Sequence, residues 1–187
     1  MWCGRKRRGI LFLAGLLLAG CASQSVVDIA SRGDGKPGWV SEGSSILKAK
    51  KGRVFLGVGS APMLGDFSLQ TTTADQVARA EVSRILSSYM EIVSRDFIAS
   101  GEAEDAGFTE QSVARYMDQV ERMDLTGVSI VGHWQDTKTN LIYSIAEMDM
   151  QQARKRLEAM EKMNPGLKQY MGEEGNSIFD RLAKHAE

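Results

Sequence analysis

Residues 68 to 98 carry one unbroken apolar stripe. Ala74, Ala78, Val82, Ile85, Tyr89, Ile92 and Val93 recur at steps of three and four, which predicts a helix from about Ser68 to Ile98 with a single apolar face. A face that long must be buried against another element. Asp75 with Arg79 and Glu91 with Arg95 stand four apart, acid first. Such pairs support the solvated side of a helix by about 0.2–0.5 kcal/mol each. Just before the stripe lies Arg53-Val54-Phe55-Leu56-Gly57-Val58-Gly59, bounded by Gly52 and by Ser60-Ala61-Pro62. Its length and β-branched content predict a buried strand.

The rest of the chain changes period twice. After an acidic loop at Gly101–Gly107, Thr109 is an N-cap with Glu110 in the first turn, opening a helix whose stripe is Val113, Met117, Val120 and Met123. From Gly127 to Gln135 the pattern alternates, with Val128, Ile130 and Trp134 on one face and His133 on the other. Asp136–Asn140 reads as a turn and Leu141–Met148 alternates again, so the two form an antiparallel hairpin. Asp149 and Gln152 fit a capping-box variant for a helix with the stripe Met150, Ala153, Leu157 and Met160. Asn164-Pro165-Gly166 ends that helix, and a polar loop leads to a short one at Ser177–Ala186. The order strand-helix-helix-hairpin-helix predicts an α+β fold, with long amphipathic helices on one face of a small, mostly antiparallel sheet (an SHS2-like order).

The N-terminus sets the compartment. Arg5, Lys6, Arg7 and Arg8 precede a short apolar run from Ile10 to Ala19. About ten apolar residues are too few for a permanent membrane span, which needs roughly twenty, and the pattern is that of an export signal. The run ends in Leu18-Ala19-Gly20-Cys21, which resembles the bacterial lipobox. Cleavage then falls between Gly20 and Cys21, and Cys21 carries diacylglycerol and palmitate. The domain reading is a lipoprotein signal peptide at 1–20, a Ser/Gly-rich lipidated tether at 21–50, an α+β domain at 51–164 and a C-terminal extension at 165–187. Trp39 serves as the anchor that docks the tether on the domain. Ala22, rather than an aspartate, follows the cysteine and favours the outer membrane, with the anchor facing the periplasm.

Charge and cysteine content narrow the function. With 23 Lys+Arg against 24 Asp+Glu there is no basic face to hold nucleic acid. Removing the four basic residues of the signal leaves 19 against 24, a net −5. Cys3 departs with the signal and Cys21 is consumed by lipid, so neither a zinc cluster nor a disulfide framework is available.

Candidate chemistry is sparse. Gly57-Val58-Gly59 lacks the third glycine of a dinucleotide loop, Pro62 standing there, and reads as a strand packed closely by another backbone. Ser60 is outside any nucleophile elbow. His133 has no predicted ligand partner and His185 is far along the chain. Glu102 with Asp105, and Glu173 with Glu174, read as solvated acidic loops rather than as opposed acids across a cleft. Met148, Met150, Met160 and Met163 gather near the last strand, either filling the core or forming a flexible apolar surface for a partner. No residue set argues for an enzyme, and no cofactor is expected.

Pro37-Gly38-Trp39-Val40, Val54–Ser60, Ala78-Arg79-Ala80-Glu81, and Gly127–Gln135 followed by Leu141-Ile142-Tyr143 together resemble the LPP20-type bacterial lipoprotein family over roughly residues 37–155. The resemblance implies a strand-helix-strand-strand module and a non-enzymatic role. Some members resemble the lipoprotein that builds a disc around the flagellar motor at the outer membrane. The expectation is therefore a lipid-anchored structural or assembly component of the cell envelope that self-associates or docks on a protein partner. The alternative is a peptidoglycan-binding or synthase-activating periplasmic adaptor. A periplasmic hydrolase would require a cleft with converged carboxylates or with His133.

Overall fold

The computed structural model describes residues 35–49, 52–122, 127–160 and 163–185, with the side chains of 46–49, 121 and 185 outside that description. The signal, Gly20, Cys21, Met123 and half of the expected tether lie outside the described residues. In chain order the elements are α1 (Gly38–Glu42), β1 (Ser45–Ala49), β2 (Gly52–Ala61), α2 (Phe67–Ala99), α3 (Glu110–Glu121), β3 (Ser129–Asp136), β4 (Leu141–Asp149), α4 (Met150–Glu158) and α5 (Pro165–His185). The four strands form one antiparallel sheet in the order β1-β2-β4-β3. The α+β class and the helix-covered antiparallel sheet expected from the sequence are what the chain adopts.

Helix α2 is the spine. It starts where Asp66 accepts the Leu69 N–H at 2.8 Å, a side-chain cap that satisfies one of the first free donors. It runs 33 residues, about 50 Å at 1.5 Å per residue. Ala74, Ala78, Val82, Ile85, Tyr89 and Val93 are buried, as the stripe predicts, and Leu86, Met90 and Phe97 widen the face. Beneath it lie Phe55 of β2 with Ala146 and Met148 of β4. The opposite face of the sheet carries Val54, Leu56 and Ile145, covered by Trp39. Trp39 therefore docks on the domain, as expected. However, the chain around it is structured: α1 holds Trp39, and β1 pairs with β2 from Ser45↔Leu56 to Ala49↔Gly52. A strand was not legible there because its run is short and follows a Gly/Ser-rich stretch.

One sequence expectation fails in β3. The register shifts between Ile130 and Gly132, leaving Val131 unopposed. An extra residue in one strand moves every later side chain to the other face. Val128 and Ile130 face α2, but Trp134 emerges on the opposite face, where its ring lies 5.6 Å from that of Tyr143. His133, expected opposite Val128 and Ile130, is on their side.

The C-terminal region also departs from expectation. In place of a stop, a polar loop and a short helix from Ser177, α5 begins at Pro165. Asn164 Oδ1 accepts the N–H groups of Gly166 at 2.9 Å and Leu167 at 3.2 Å. Proline at the first helical position lacks only a donor that would go unused, so Asn-Pro-Gly is a start here. Leu167, Met171, Ile178 and Phe179 are buried in the main core. The rings of Phe55, Tyr89 and Phe179 form an edge-to-face triangle with centroids 5.2–6.1 Å apart. Arg53 clamps Asp180 through two hydrogen bonds of 2.6 and 2.8 Å, and Arg181 reaches Asp96 at 2.7 Å.

Candidate functional site

One cluster of polar side chains, drawn from α2, β3 and β4, centres on Asp75. Its Oδ1 accepts the Ser144 hydroxyl at 2.7 Å and lies 2.7 Å from His133 Nε2. Ser144 occupies an inward position of β4 between Ile142 and Ala146 and is fully buried. A hydroxyl there needs a partner, because an unpaired buried polar group costs about 1–3 kcal/mol. The β3 bulge supplies the rest by turning His133 toward α2. Asp75 is thus drawn inward, in place of the expected surface pair with Arg79. The Glu91–Arg95 pair does form, at 3.0 Å.

The order of these three side chains decides what they can do. In acyl transfer by a serine, the imidazole stands between hydroxyl and carboxylate, so that it can take the hydroxyl proton. Here the carboxylate stands between, and the hydroxyl is spent on it. The cluster clasps helix to sheet. Ser144 was the sequence signal for it, as the one polar residue at an inward position of an alternating strand.

The other candidates disperse. Gly57 and Gly59 lie directly under α2: a Cβ at Gly57 would be 2.0 Å from the Ala78 carbonyl oxygen, and one at Gly59 would be 2.3 Å from the Ala78 nitrogen. Close backbone packing, rather than a phosphate loop, is their use. Ser60 is exposed on β2; Glu102, Asp105, Glu173 and Glu174 are exposed too. Glu173 and Glu174 sit on α5 rather than in a loop, and Glu173 accepts from Gln169 Nε2 at 3.0 Å. His185 closes α5, its side chain outside the described part. Met148 and Met150 are buried, and Met160 and Met163 pack against the same core. Among the described residues, no three His, Cys, Asp or Glu side chains gather as metal ligands would.

An open hollow of about 700 Å³ lies over the start of α4, lined by Arg53, Asp149, Met150, Arg154, Lys155 and Glu158. Its charges are already engaged in part. Arg53 binds Asp180, which raises the guanidinium further above its ordinary value, and Asp149 caps α4 by accepting from Gln151 and Gln152. Deeper in the core, burial pushes the Tyr89 phenol well above its ordinary range, and the Tyr116 phenol up to about 12. Both therefore remain neutral packing groups with a polar tip.

A different kind of surface sits at the start of α2. Met63, Leu64, Phe67, Leu69 and Val77 are large, apolar and exposed, at 69, 43, 66, 54 and 40% of their full area. Gln70, almost wholly buried, donates from Nε2 to the carbonyls of Ala61 at 3.0 Å and Asn140 at 2.7 Å. One side chain thus binds the helix start to the end of β2 and to the β3–β4 turn, fixing this apolar tip in place. Apolar residues in the loop Pro62–Gly65, where a connection is ordinarily polar, were the sequence signal for it.

No protein-family model matches the chain, and no curated protein sequence matches it.

Proposed function

We propose that this protein is a lipid-anchored outer-membrane lipoprotein of the LPP20 type, acting as a structural or assembly component of the cell envelope. The observation that carries the reading is Leu18-Ala19-Gly20-Cys21 at the end of a short apolar run behind Arg5–Arg8. The use of polar side chains supports a non-catalytic role. Asp75 is consumed in holding Ser144 and His133, and Asp180 in holding Arg53. Acyl chains fix the location, since more than one is needed for stable anchoring, and the domain supplies the surfaces.

Palmitate labelling of the full chain expressed in a Gram-negative cell tests the anchor. The intact protein takes up label and fractionates with the outer membrane; Cys21→Ser does not, and globomycin leaves the precursor uncleaved. Equal labelling of Cys21→Ser overturns the reading. The size of the detergent-extracted protein then separates an assembly component, which is oligomeric, from a monomeric adaptor on peptidoglycan.

A further inference from the structure

Among the described residues, the large exposed apolar side chains gather at one pole of the domain. We propose that this pole, Met63, Leu64 and Phe67 foremost, inserts into the interfacial layer of the lipid leaflet that carries the anchor. The inference rests on the lipid-anchor reading and deepens it, from a chain tethered near a bilayer to a domain seated on it in one orientation.

The point of chain entry is the first argument. Gly35 is the first described residue, and its carbonyl accepts the Trp134 indole N–H at 3.0 Å. Trp134 is paired with Tyr143, and Tyr143 with Ser60. That row of the sheet lies one residue from Ala61, where β2 runs out into the apolar loop. The chain therefore arrives at the same pole that presents Met63 and Phe67. Fourteen Cα-to-Cα steps lead from Cys21 to Gly35, a reach of at most about 50 Å even when fully extended.

Charge along the long axis agrees. The far end of α2 leads into Glu102, Glu104 and Asp105, all exposed, about 50 Å from the tip. An acidic cluster is repelled by an anionic lipid surface, so this polarity turns the acidic end outward. At the tip, the Leu69 N–H binds Asp66, and the N–H groups of Lys138 and Thr139 bind Asp136, tying both carboxylates to the backbone without cancelling their charge. Lys138 is exposed beside them. Trp134 on the edge strand β3 and Tyr143 beside it on β4, each with an apolar body and a polar end, share the row of Ser60 and are the kind of side chain that suits a membrane boundary.

Continuity with the point of chain entry argues for lipid over a second copy of the chain: the apolar tip lies on the side from which the anchor reaches the domain. Insertion into lipid needs no complementary shape.

The test uses the processed full-length protein, purified in detergent and reconstituted into vesicles of phosphatidylethanolamine and phosphatidylglycerol. Phe67→Trp, or separately Met63→Trp, adds an indole at an exposed site where folding is not at stake. Emission is compared with the parent chain, so that Trp39 and Trp134 cancel. Quenching of the added indole by lipids brominated on the upper acyl chain, with a blue shift and protection from aqueous acrylamide, is the expected result. Quenching by acrylamide alone places the tip in water and overturns the proposal. Shielding from both quenchers means that another copy of the chain covers the tip, and overturns it too. Intact mass on the same sample reports acylation of Cys21. An acylated protein with an unquenched indole defeats the tip alone, whereas an unacylated Cys21 defeats both readings, because nothing then directs this pole to a bilayer.

Discussion

The two halves of α2 are held against the sheet by opposite means. Up to Val82, the helix backbone lies close on bare strand: Gly57 and Gly59 face Ala74, Ala78 and Val82 with no side chain from the strand between, and Asp75 locks the contact through Ser144. From Ile85 onward the spacing is filled by bulk, with Tyr89 against Phe55 and Phe179, and Phe97 against Phe108 and Tyr170. The first half gains its stability from proximity and has no slack. The second gains it from buried area, which other side chains can partly restore. The same helix should therefore respond to substitution in two distinguishable ways.

The largest effect is expected where there is no slack. Gly57→Ala places a carbon 2.0 Å from the Ala78 carbonyl oxygen and 2.8 Å from the Val82 nitrogen. Both are backbone atoms, which no rotamer change can move. Overpacking in a well-packed core costs typically about 1–3 kcal/mol and sometimes more; here the helix itself must lift, so loss of the cooperative thermal transition is expected. A near-normal melt would break the comparison at its root. In the second half, Phe179→Ala leaves a cavity between Phe55 and Tyr89. It should cost about 3–5 kcal/mol while the chain still unfolds cooperatively, and Phe179→Leu should recover a good part of that in urea titrations.

Next in size is the clasp. Asp75→Ala orphans the fully buried Ser144 hydroxyl and should cost about 1–3 kcal/mol. His133→Ala removes a side chain that is 42% exposed and should cost much less. Equal costs would mean that the imidazole, rather than the buried hydroxyl, is what Asp75 serves. The comparison also has a pH signature. Burial raises Tyr116, which packs on the second half through Phe108, to about 12 from 10. A phenol whose folded pKa lies above its unfolded value contributes stability that is complete below pH 10 and is lost as pH rises toward 12. Denaturant midpoints should fall over that window, and Tyr116→Phe should reduce the fall.

Reading the sequence recovered the parts of the fold that depend on periodicity. The stripe of α2, the β3–β4 hairpin, the Asp149 cap and the close packing at Gly57-Val58-Gly59 all follow from residue type and spacing. What escaped depended on single events or on distant partners. The bulge at Val131 is one inserted residue, and it reverses the faces of His133 and Trp134 without altering composition. Asn164-Pro165-Gly166 carries both a helix-stop and a helix-start signal; only burial of Leu167 and Met171 selects the start. Asp75 looked like the partner of Arg79 because local spacing is visible and Ser144, 69 residues away, is not.

The smallest effects give the sharpest form of the comparison, because α5 contains its own matched pair. Gly172 and Gly175 both lie inside the helix, where replacing glycine by alanine ordinarily gains about 0.5–1 kcal/mol. A Cβ at Gly172 meets nothing within 4 Å, whereas one at Gly175 lies 2.8 Å from the Tyr89 hydroxyl oxygen. That hydroxyl donates to the Gly175 carbonyl at 2.8 Å, so it cannot withdraw without losing a buried hydrogen bond, worth about 1 kcal/mol. Gly172→Ala should therefore stabilise and Gly175→Ala destabilise. Tyr89→Phe alone should cost about 1 kcal/mol. In that background the contact at position 175 is relieved, so Gly175→Ala should turn neutral or stabilising, a sign change that a double-mutant cycle reads directly. If Gly175→Ala remains as damaging in the Tyr89→Phe background, the obstacle is the helix seat rather than one hydroxyl. The second half of α2 would then be as unforgiving as the first.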